Sequence, residues 1–567
     1  MYVECLRIWN FKKFDFVEVP FTDGANVVVG DNDSGKSTLL EALHLALTGE
    51  YRGRAISGSI SEDLFNKQAV LSYFESARLG GGDPAPSIYI EVVFQGDSFE
   101  TPRFLGDGNR SKSPEAGVYL SIELDEEEFG KDFESYVREG DCVELPIEYY
   151  RCVRRTFSRD RVTQSRLNFR SSLIDSSGFF LRPGSKAYVS KTARDALPER
   201  ERFALAQAHR QARLNFDSDA RVVSANEEIG KKVSSLSGKE VSFAASKGTK
   251  DAWENSVETR LNGIPLENAG AGSQSITGME IALSGGRESS GVVLVEEPEA
   301  HLSHSAMSEL LEALPSRARG RQLVVSTHSS FVANKLDLRK IICLTDMSAT
   351  RPFESLDEDD VLFFSRLAGY DTLRIVFCRV AILVEGDSDE LIVQRAYRDA
   401  HSGRLPIQDR IEVISVGTSF LRFLRLGEML GRRVVAITDN DGNLEKIREK
   451  YRGYNVLCDH SAKTALSHPE TVAVSYPGDL LSKGSIENYS YNTLEPELFE
   501  ANHLDGINKI LGKKFEHRDD ALRHMKSNKT ECALKFFNYE DRVAFPGYIQ
   551  EAIKFACFDE GTPGHGE

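Results

Sequence analysis

The stretch NVVVGDNDSGKSTLLEALHLAL, residues 26–47, narrows the possible folds more than any other part of the chain. An apolar run ends at Gly30, and Gly35, Lys36 and Ser37 complete the spacing GxxxxGK[ST] before a helix-forming segment. Glycines let successive backbone N–H groups wrap a phosphate, the lysine reaches the β and γ oxygens, and the hydroxyl can ligate Mg²⁺. Asn32 in the loop and Thr38 in the first helical turn lie beside the same phosphates. The pattern requires a strand, loop and helix of an α/β nucleotide-binding domain, with ATP as its ligand.

A phosphate loop needs a carboxylate partner, and VVLVEEPEAHLS (292–303) supplies one. Glu296 is placed to support the Mg²⁺ shell, and Glu297 to orient or deprotonate the attacking water. His328, after the apolar LVVST, is placed to sense the γ-phosphate. LSGGR (283–287) looks like an ABC signature, yet only a few residues separate it from the acidic strand, so it reads as a helix-to-strand turn. Gly270, Gly272, Ser273 and Gln274 lie a helix length earlier, where N–H groups and a hydroxyl can meet a γ-phosphate across a dimer.

The chain has 567 residues, too many for one core, so at least two domains are expected. A net charge of −17 does not favour a polyanion partner, although a nucleic-acid site needs only a local basic surface. YRCVRRTFSRDRVTQSRLNFR offers such a surface through Arg151, Arg154, Arg155, Arg159, Arg161, Arg166 and Arg170. Their alternative is an exposed strand face paired with acidic neighbours. The eight cysteines form no CxxC pair, which excludes a zinc or disulfide framework of the usual spacings. No secretory leader and no membrane-length apolar run is visible, so a cytoplasmic protein without a membrane partner is expected.

Helical spacing with heavy charge at about 185–260 reads as an insertion, with a dimer contact as one use. A second alternation of strand and helix starts near 375: RVAILVEG, DELIVQRAYRDA, IEVISVG, SFLRFLRLGEML and RRVVAITDND. Alternation of this kind implies a parallel sheet with polar residues at its strand C-terminal ends. Glu385 ends the first of these strands, and Asp439 and Asp441 end the third. Asp389 lies one helical turn beyond Glu385, so these carboxylates can meet around Mg²⁺ or Mn²⁺. The expected domains are 1–374 and 375–567.

The first half, with LRIWNFKKF at its start, resembles the ABC-type ATPases of the structural-maintenance-of-chromosomes group, although Glu296 stands where many relatives have Asp. Those ATPases bind nucleotide between two copies, which implies a homodimer or larger oligomer. A Glu after one strand and a DxD after another look like a Toprim domain. An ATPase followed by a Toprim domain resembles the OLD (overcoming lysogenization defect) family of ATP-regulated nucleases, including the Gabija nuclease and retron-associated effectors. The fold class is thus α/β: an ABC-type P-loop ATPase domain with a helical insertion, then a Toprim domain with a parallel sheet.

That resemblance implies one more acidic ligand and a late lysine. Glu495 in YNTLEPEL and Lys529 in KSNKTECAL are assigned, with Glu487 and Lys526 as competitors. It also implies a metal-dependent DNA endonuclease in phage defence, with a helicase or a retron reverse transcriptase and its DNA product as companion. The alternative is an ATP-gated DNA-binding scaffold with an inactive Toprim site. Topoisomerase and primase activities are disfavoured, since neither a tyrosine breakage–reunion domain nor a zinc-binding segment is evident.

Overall fold

The computed structural model describes all residues except 97–100, 139–143, 163–168, 176–198, 238–241, 246–259, 285–290, 319, 346–347, 367–373, 460, 462–465, 483–484, 488 and 558–567. It divides into two compact units, residues 1–336 with 344–350, and residues 337–343 with 351–567.

In the first unit, alternating apolar residues form an antiparallel sheet. Its strands are β1 (Tyr2–Phe11), β2 (Phe14–Pro20), β4 (Ile88–Gln95), β5 (Glu115–Leu124) and β6 (Tyr150–Thr156), with β3 (Ala25–Val29) belonging elsewhere. The order is β2-β1-β4-β5-β6. Leu6 and Ile8 of β1 are fully buried, whereas Arg7 and Trp9 lie on the other face, as a period of two requires; a register shift between Val3 and Cys5 brings Val3 to the buried face as well.

The second sheet of this unit is parallel: β7 (Arg170–Asp175), β8 (Gly291–Glu296), β9 (Gln322–Ser326) and β3, in that order. Helix α1 (Lys36–Thr48) packs against both sheets with seven leucines and alanines buried along it. The sheets are joined by Gln322, whose amide accepts from Val3 N at 2.9 Å and donates to Val3 O at 2.8 Å. Within the expected insertion, α2 (Glu199–Asp217) and α3 (Ala220–Ser237) are described and pack on each other. Helix α4 (Ala271–Ser284) precedes β8, and α5 (His304–Arg317) follows it. Gly285, Gly286 and Arg287 of LSGGR lie outside the described residues.

The second unit takes in residues 337–343, and its main run opens at Arg351, ahead of the alternation of strand and helix that begins near 375. Helix α6 (Glu358–Arg366) belongs to it because Phe364 stacks edge-on against Phe423 at 5.2 Å and Asp360 pairs with Arg422 at 3.3 Å. Beyond it run β10 (Val380–Val384), α7 (Asp387–Ala400), β11 (Ile411–Ser415), α8 (Phe420–Met429), β12 (Arg433–Ile437), β13 (Asn455–Val456) and β14 (Val472–Ser475). The five strands are all parallel, in the order β11-β10-β12-β14-β13. Helices α9 (Leu494–Leu511), α10 (Arg518–Ser527), α11 (Lys529–Asn538) and α12 (Gly547–Cys557) complete the unit and share its apolar core with β10 and α7. Among the described residues, no helix is long and apolar enough to cross a membrane.

Candidate nucleotide and metal sites

The phosphate loop joins β3 to α1, and its two motif glycines are sterically required. Gly35 has φ 97°, and a Cβ there would lie 2.4 Å from the Phe14 ring. A Cβ on Gly30 would meet the Leu344 carbonyl at 2.4 Å. Lys36 is buried, and its ammonium donates to the carbonyls of Gly30 and Asp31 at 2.9 Å each. Burial pulls its pKa down to about 8, against the opposing pull of Glu297, Asp31 and Glu296. Asn32 is exposed at the loop tip, and Thr38 is half-buried in the helix behind it.

Ser37 donates to Glu296 at the end of β8, so hydroxyl and carboxylate meet where a nucleotide's Mg²⁺ would be held. Glu297 adopts φ 45° in the turn that follows, and its carboxylate stands 3.4 Å from the His328 ring. Burial and nearby Lys36 lower the His328 pKa, which keeps the imidazole neutral. Glu299 was not singled out by sequence reasoning. It accepts from Thr327 Oγ1 at 2.6 Å and from His328 N at 3.1 Å, so it fixes the backbone that carries the histidine. Its spacing two residues past the acidic pair is the only signal the sequence offers.

Gly270 precedes α4, while Gly272, Ser273 and Gln274 form its first turn. A Cβ on Gly272 would meet His301 O at 2.7 Å, so the glycine allows α4 to rest on the turn after β8. Gln274 is buried and donates to Ala269 O, which closes that turn on itself.

The described arginines of the run do not all lie on one face. Arg151 pairs with Asp125 at 3.1 Å and Glu123 at 3.5 Å, and Arg159 with Asp107 at 2.9 Å. Arg154 points to the opposite side of β6, where it donates to Leu47 O at 2.7 Å near the C-terminal end of α1. There burial lowers its pKa to about 10. Arg155 and Arg161 face each other across an isolated bridge. Arg166 lies outside the described residues, and Arg170 is a backbone position of β7 whose side chain is not described.

The acidic residues of the second unit do converge. Strands β10 and β12 are parallel neighbours, so Glu385 and Asp439 leave adjacent strand ends. Asp389 is in the first turn of α7, Glu495 in that of α9, and Lys529 opens α11. The N-terminal ends of these helices carry partial positive charge, which favours carboxylates there. Burial, then Glu385 and Glu495, push the Asp389 carboxyl up to about 6, with Lys529 pulling the other way. Burial and the charges of Asp389, Glu385, Glu495 and Asp441 raise Asp439 well above the usual carboxylate range. Lys529 lies 3.0 Å from the buried Glu495; burial pulls its pKa down, but the bond and charge of Glu495 together with the charges of Asp389 and Asp439 raise it on balance.

The competitors are separated by position. Glu487 is exposed, and Lys526 lies over the Tyr489 ring at 4.8 Å. Two further residues had no sequence signal. Asn440 is 1% exposed; its amide donates to Pro477 O and Asp479 O at 3.0 Å each and accepts from Gly442 N, which locks the loop between the two aspartates. Thr493 donates to Glu495 at 3.2 Å.

Among the described residues, no three His, Cys, Asp or Glu side chains already form a ready cage for an ion. The donor chemistry nevertheless fits a hard divalent cation, because the carboxylates are oxygen ligands only and their mutual repulsion is what such a charge relieves. Glu385, Asp389, Asp439, Asp441 and Glu495 are the residues that would hold it.

Comparison with known proteins agrees with this division. Residues 25–334 match the family described as "AAA domain, putative AbiEii toxin, Type IV TA system", and residues 376–441 match "Overcoming lysogenization defect protein-like, TOPRIM domain". The DNA replication and repair protein RecF of Symbiobacterium thermophilum is 43% identical over 49 residues, 9% of this chain and 13% of that protein. The DNA double-strand break repair Rad50 ATPase of Thermoplasma acidophilum is 27% identical over 125 residues, 22% of this chain and 11% of its own length. Both matches thus span a small part of the relative. A solved RecF–ATP structure aligns over 62% of this chain and 99% of its own at 12% identity, with a TM-score of 0.33. The C-terminal region of the Burkholderia pseudomallei OLD protein aligns over 32% of this chain and 97% of its own at 20% identity, with a TM-score of 0.24. With the AAA family matched over more than half its length and an OLD-like Toprim segment behind it, the chain belongs to the AAA-domain family and is an ATPase–Toprim protein of the OLD type.

Proposed function

We propose that the protein is an ATP-regulated, divalent-metal-dependent DNA endonuclease. The observation that carries this reading is the convergence of Glu385, Asp389, Asp439, Asp441 and Glu495, with Lys529, at the C-terminal edge of the parallel sheet. Bound Mg²⁺ or Mn²⁺ would supply an activated water and neutralise the leaving oxygen of a phosphodiester. The chain's own part is to hold and position. Asn440 and Thr493 orient the carboxylates, and Lys529 can donate from its ammonium to a non-bridging phosphate oxygen as negative charge grows there.

In the first unit, Lys36, Ser37 and Glu296 would hold ATP with its Mg²⁺, and Glu297, with His328 3.4 Å away, would orient the attacking water. Gly272, Ser273 and Gln274 serve the nucleotide of a second copy, which makes the working form a homo-oligomer. A cytoplasmic role in phage defence, with a helicase or a reverse transcriptase as companion, belongs to the same reading.

The test is cleavage of supercoiled and linear DNA with Mg²⁺ or Mn²⁺, with and without ATP, beside Glu385→Ala. Cutting that this variant loses supports the nuclease. Absence of metal-dependent cutting by the wild-type chain under every condition overturns it and leaves an ATP-gated DNA-binding scaffold.

A further inference from the structure

The antiparallel sheet of the first unit has an outward face that the nucleotide site does not use. Aromatic side chains cross it from strand to strand. Phe16 of β2 lies 5.1 Å from Trp9 of β1, Trp9 lies 5.7 Å from Tyr89 of β4, and Tyr89 stacks on Tyr119 of β5 at 5.1 Å. Registers Trp9↔Phe16 and Trp9↔Tyr89 put the first three on one line, and Tyr119 continues it diagonally. Phe16 is 45% exposed, so the row ends in a phenyl ring open to solvent.

Cations accompany the row. The Arg110 guanidinium lies 5.1 Å from the Trp9 ring and 5.4 Å from the Tyr89 ring, and Arg155 pairs in register with Tyr119. Among the described residues, neither Arg110 nor Arg155 is in an ion pair, and Arg161 bridges to Arg155 at the same end. The carboxylates of this face are otherwise engaged: Arg7 holds Glu18, Glu91 and Glu115, and Arg151 holds Glu123. Glu91 stands opposite Tyr119 and accepts from Arg110 N at 2.6 Å. The acids thus lie between the rings but are held by Arg7, Arg151 and backbone, while the Arg110 and Arg155 guanidinium groups form no ion pair among the described residues.

Cross-strand aromatic pairs also stabilise sheets, and that alone would explain buried rings. It does not explain an exposed phenyl, a guanidinium lying over two rings and further arginines at the end of the row. Rings that accept bases, with arginines that contact phosphates, are the elements of a single-strand platform. Duplex bases are already stacked and offer no free face, so the fit is to an unpaired strand. We propose that Trp9, Tyr89 and Tyr119, with Phe16 at one end and Arg110 and Arg155 beside them, form a binding surface for single-stranded DNA. The inference adds a strand-holding surface to the proposed nuclease and rests on that reading only in naming DNA as the polymer.

Binding is tested in the full chain carrying Glu385→Ala, in EDTA, so that it is read without cleavage. A fluorescein-labelled oligothymidylate is titrated by anisotropy, with the same-length duplex as competitor. The double variant Trp9→Leu/Tyr119→Leu keeps apolar bulk, and Arg110→Gln and Phe16→Ser change exposed positions. The expected result is single-strand binding weakened about tenfold or more by the leucine pair. Arg110→Gln and Phe16→Ser should each weaken it as well, with a shallower salt dependence for Arg110→Gln. Unchanged binding in all three variants, with unfolding midpoints like the parent's, overturns the proposal, as does duplex competing as well as single strand. Loss of cleavage by the wild-type chain alongside intact, variant-sensitive binding would sink the nuclease reading and leave this surface standing.

Discussion

Asn440 sits between two candidate metal ligands and commits both amide N–H groups and its carbonyl oxygen to loop backbone. Asn440→Ala would strip partners from two carbonyls and an N–H, a loss of about 2 kcal/mol, and would release Asp439 and Asp441 from their fixed loop. Mn²⁺ affinity of the variant, followed by electron paramagnetic resonance, is expected to fall; affinity equal to the wild type would show that the loop needs no such brace. Asp459 allows a test of pH. Burial alone would raise its carboxyl, but Arg448 at 2.6 Å, the Ser461 N–H and Tyr476 hold it below the usual carboxylate range. A folded value below the unfolded one means stabilisation that is complete above the ordinary Asp value and lost as pH falls through the folded one. Asp459→Asn is therefore expected to cost about 2 kcal/mol at neutral pH, with the gap to wild type closing below about pH 4 in urea titrations. The carboxylates at 385, 389, 439 and 441 were legible because strand ends and DxD spacing are local patterns. Asn440 was not, because its partners Pro477 and Asp479 are remote in sequence, and a polar residue between two aspartates looks like a spacer.

Helices rather than strands complete the acidic site, and they are where reading by period alone stops. Helices α7, α9 and α11 each bring a residue of their first turn to the cluster, yet nothing in EPELFE or KTECALKFF says that these turns meet. The structure makes the meeting firm from the far end: buried Arg395 of α7 pairs with Asp399 and donates to the carbonyls of Phe536, Phe537 and Asp541 around the end of α11. The arginine run meets a related limit: alternation along β6 sends Arg154 inward to the end of α1 while Arg151 and Arg155 face the other way, so these three do not share one surface. Close helix–sheet contact gives a sharp test at Gly427 of α8, where a Cβ would fall 2.4 Å from a Val434 methyl on β12. Gly427→Ala is expected to lower stability by about 1–3 kcal/mol through overpacking, read from the denaturant midpoint. An unchanged midpoint would mean that α8 can lift off the sheet without cost.

At the scale of the molecule, the chain joins a phosphate loop to an acidic sheet edge, and the question is whether the first governs the second. Lys36 separates the possibilities because it lies in one unit: among the described residues its ammonium donates to the loop carbonyls of Gly30 and Asp31 and to the Ser34 hydroxyl, while burial pulls its pKa down to about 8. Lys36→Met removes the charge that meets the β and γ oxygens and keeps similar bulk, so ATP binding is expected to drop by about tenfold or more without touching Glu385 or Lys529. If ATP restrains the nuclease, Lys36→Met should cut DNA in Mg²⁺ at the rate of wild type without nucleotide, and added ATP should no longer slow it. If ATP drives cutting, the same variant should be slow at every ATP concentration. A variant whose cleavage still responds to ATP as the wild type does would show that the phosphate loop is not the switch, and regulation would have to be sought in assembly through Gly272–Gln274.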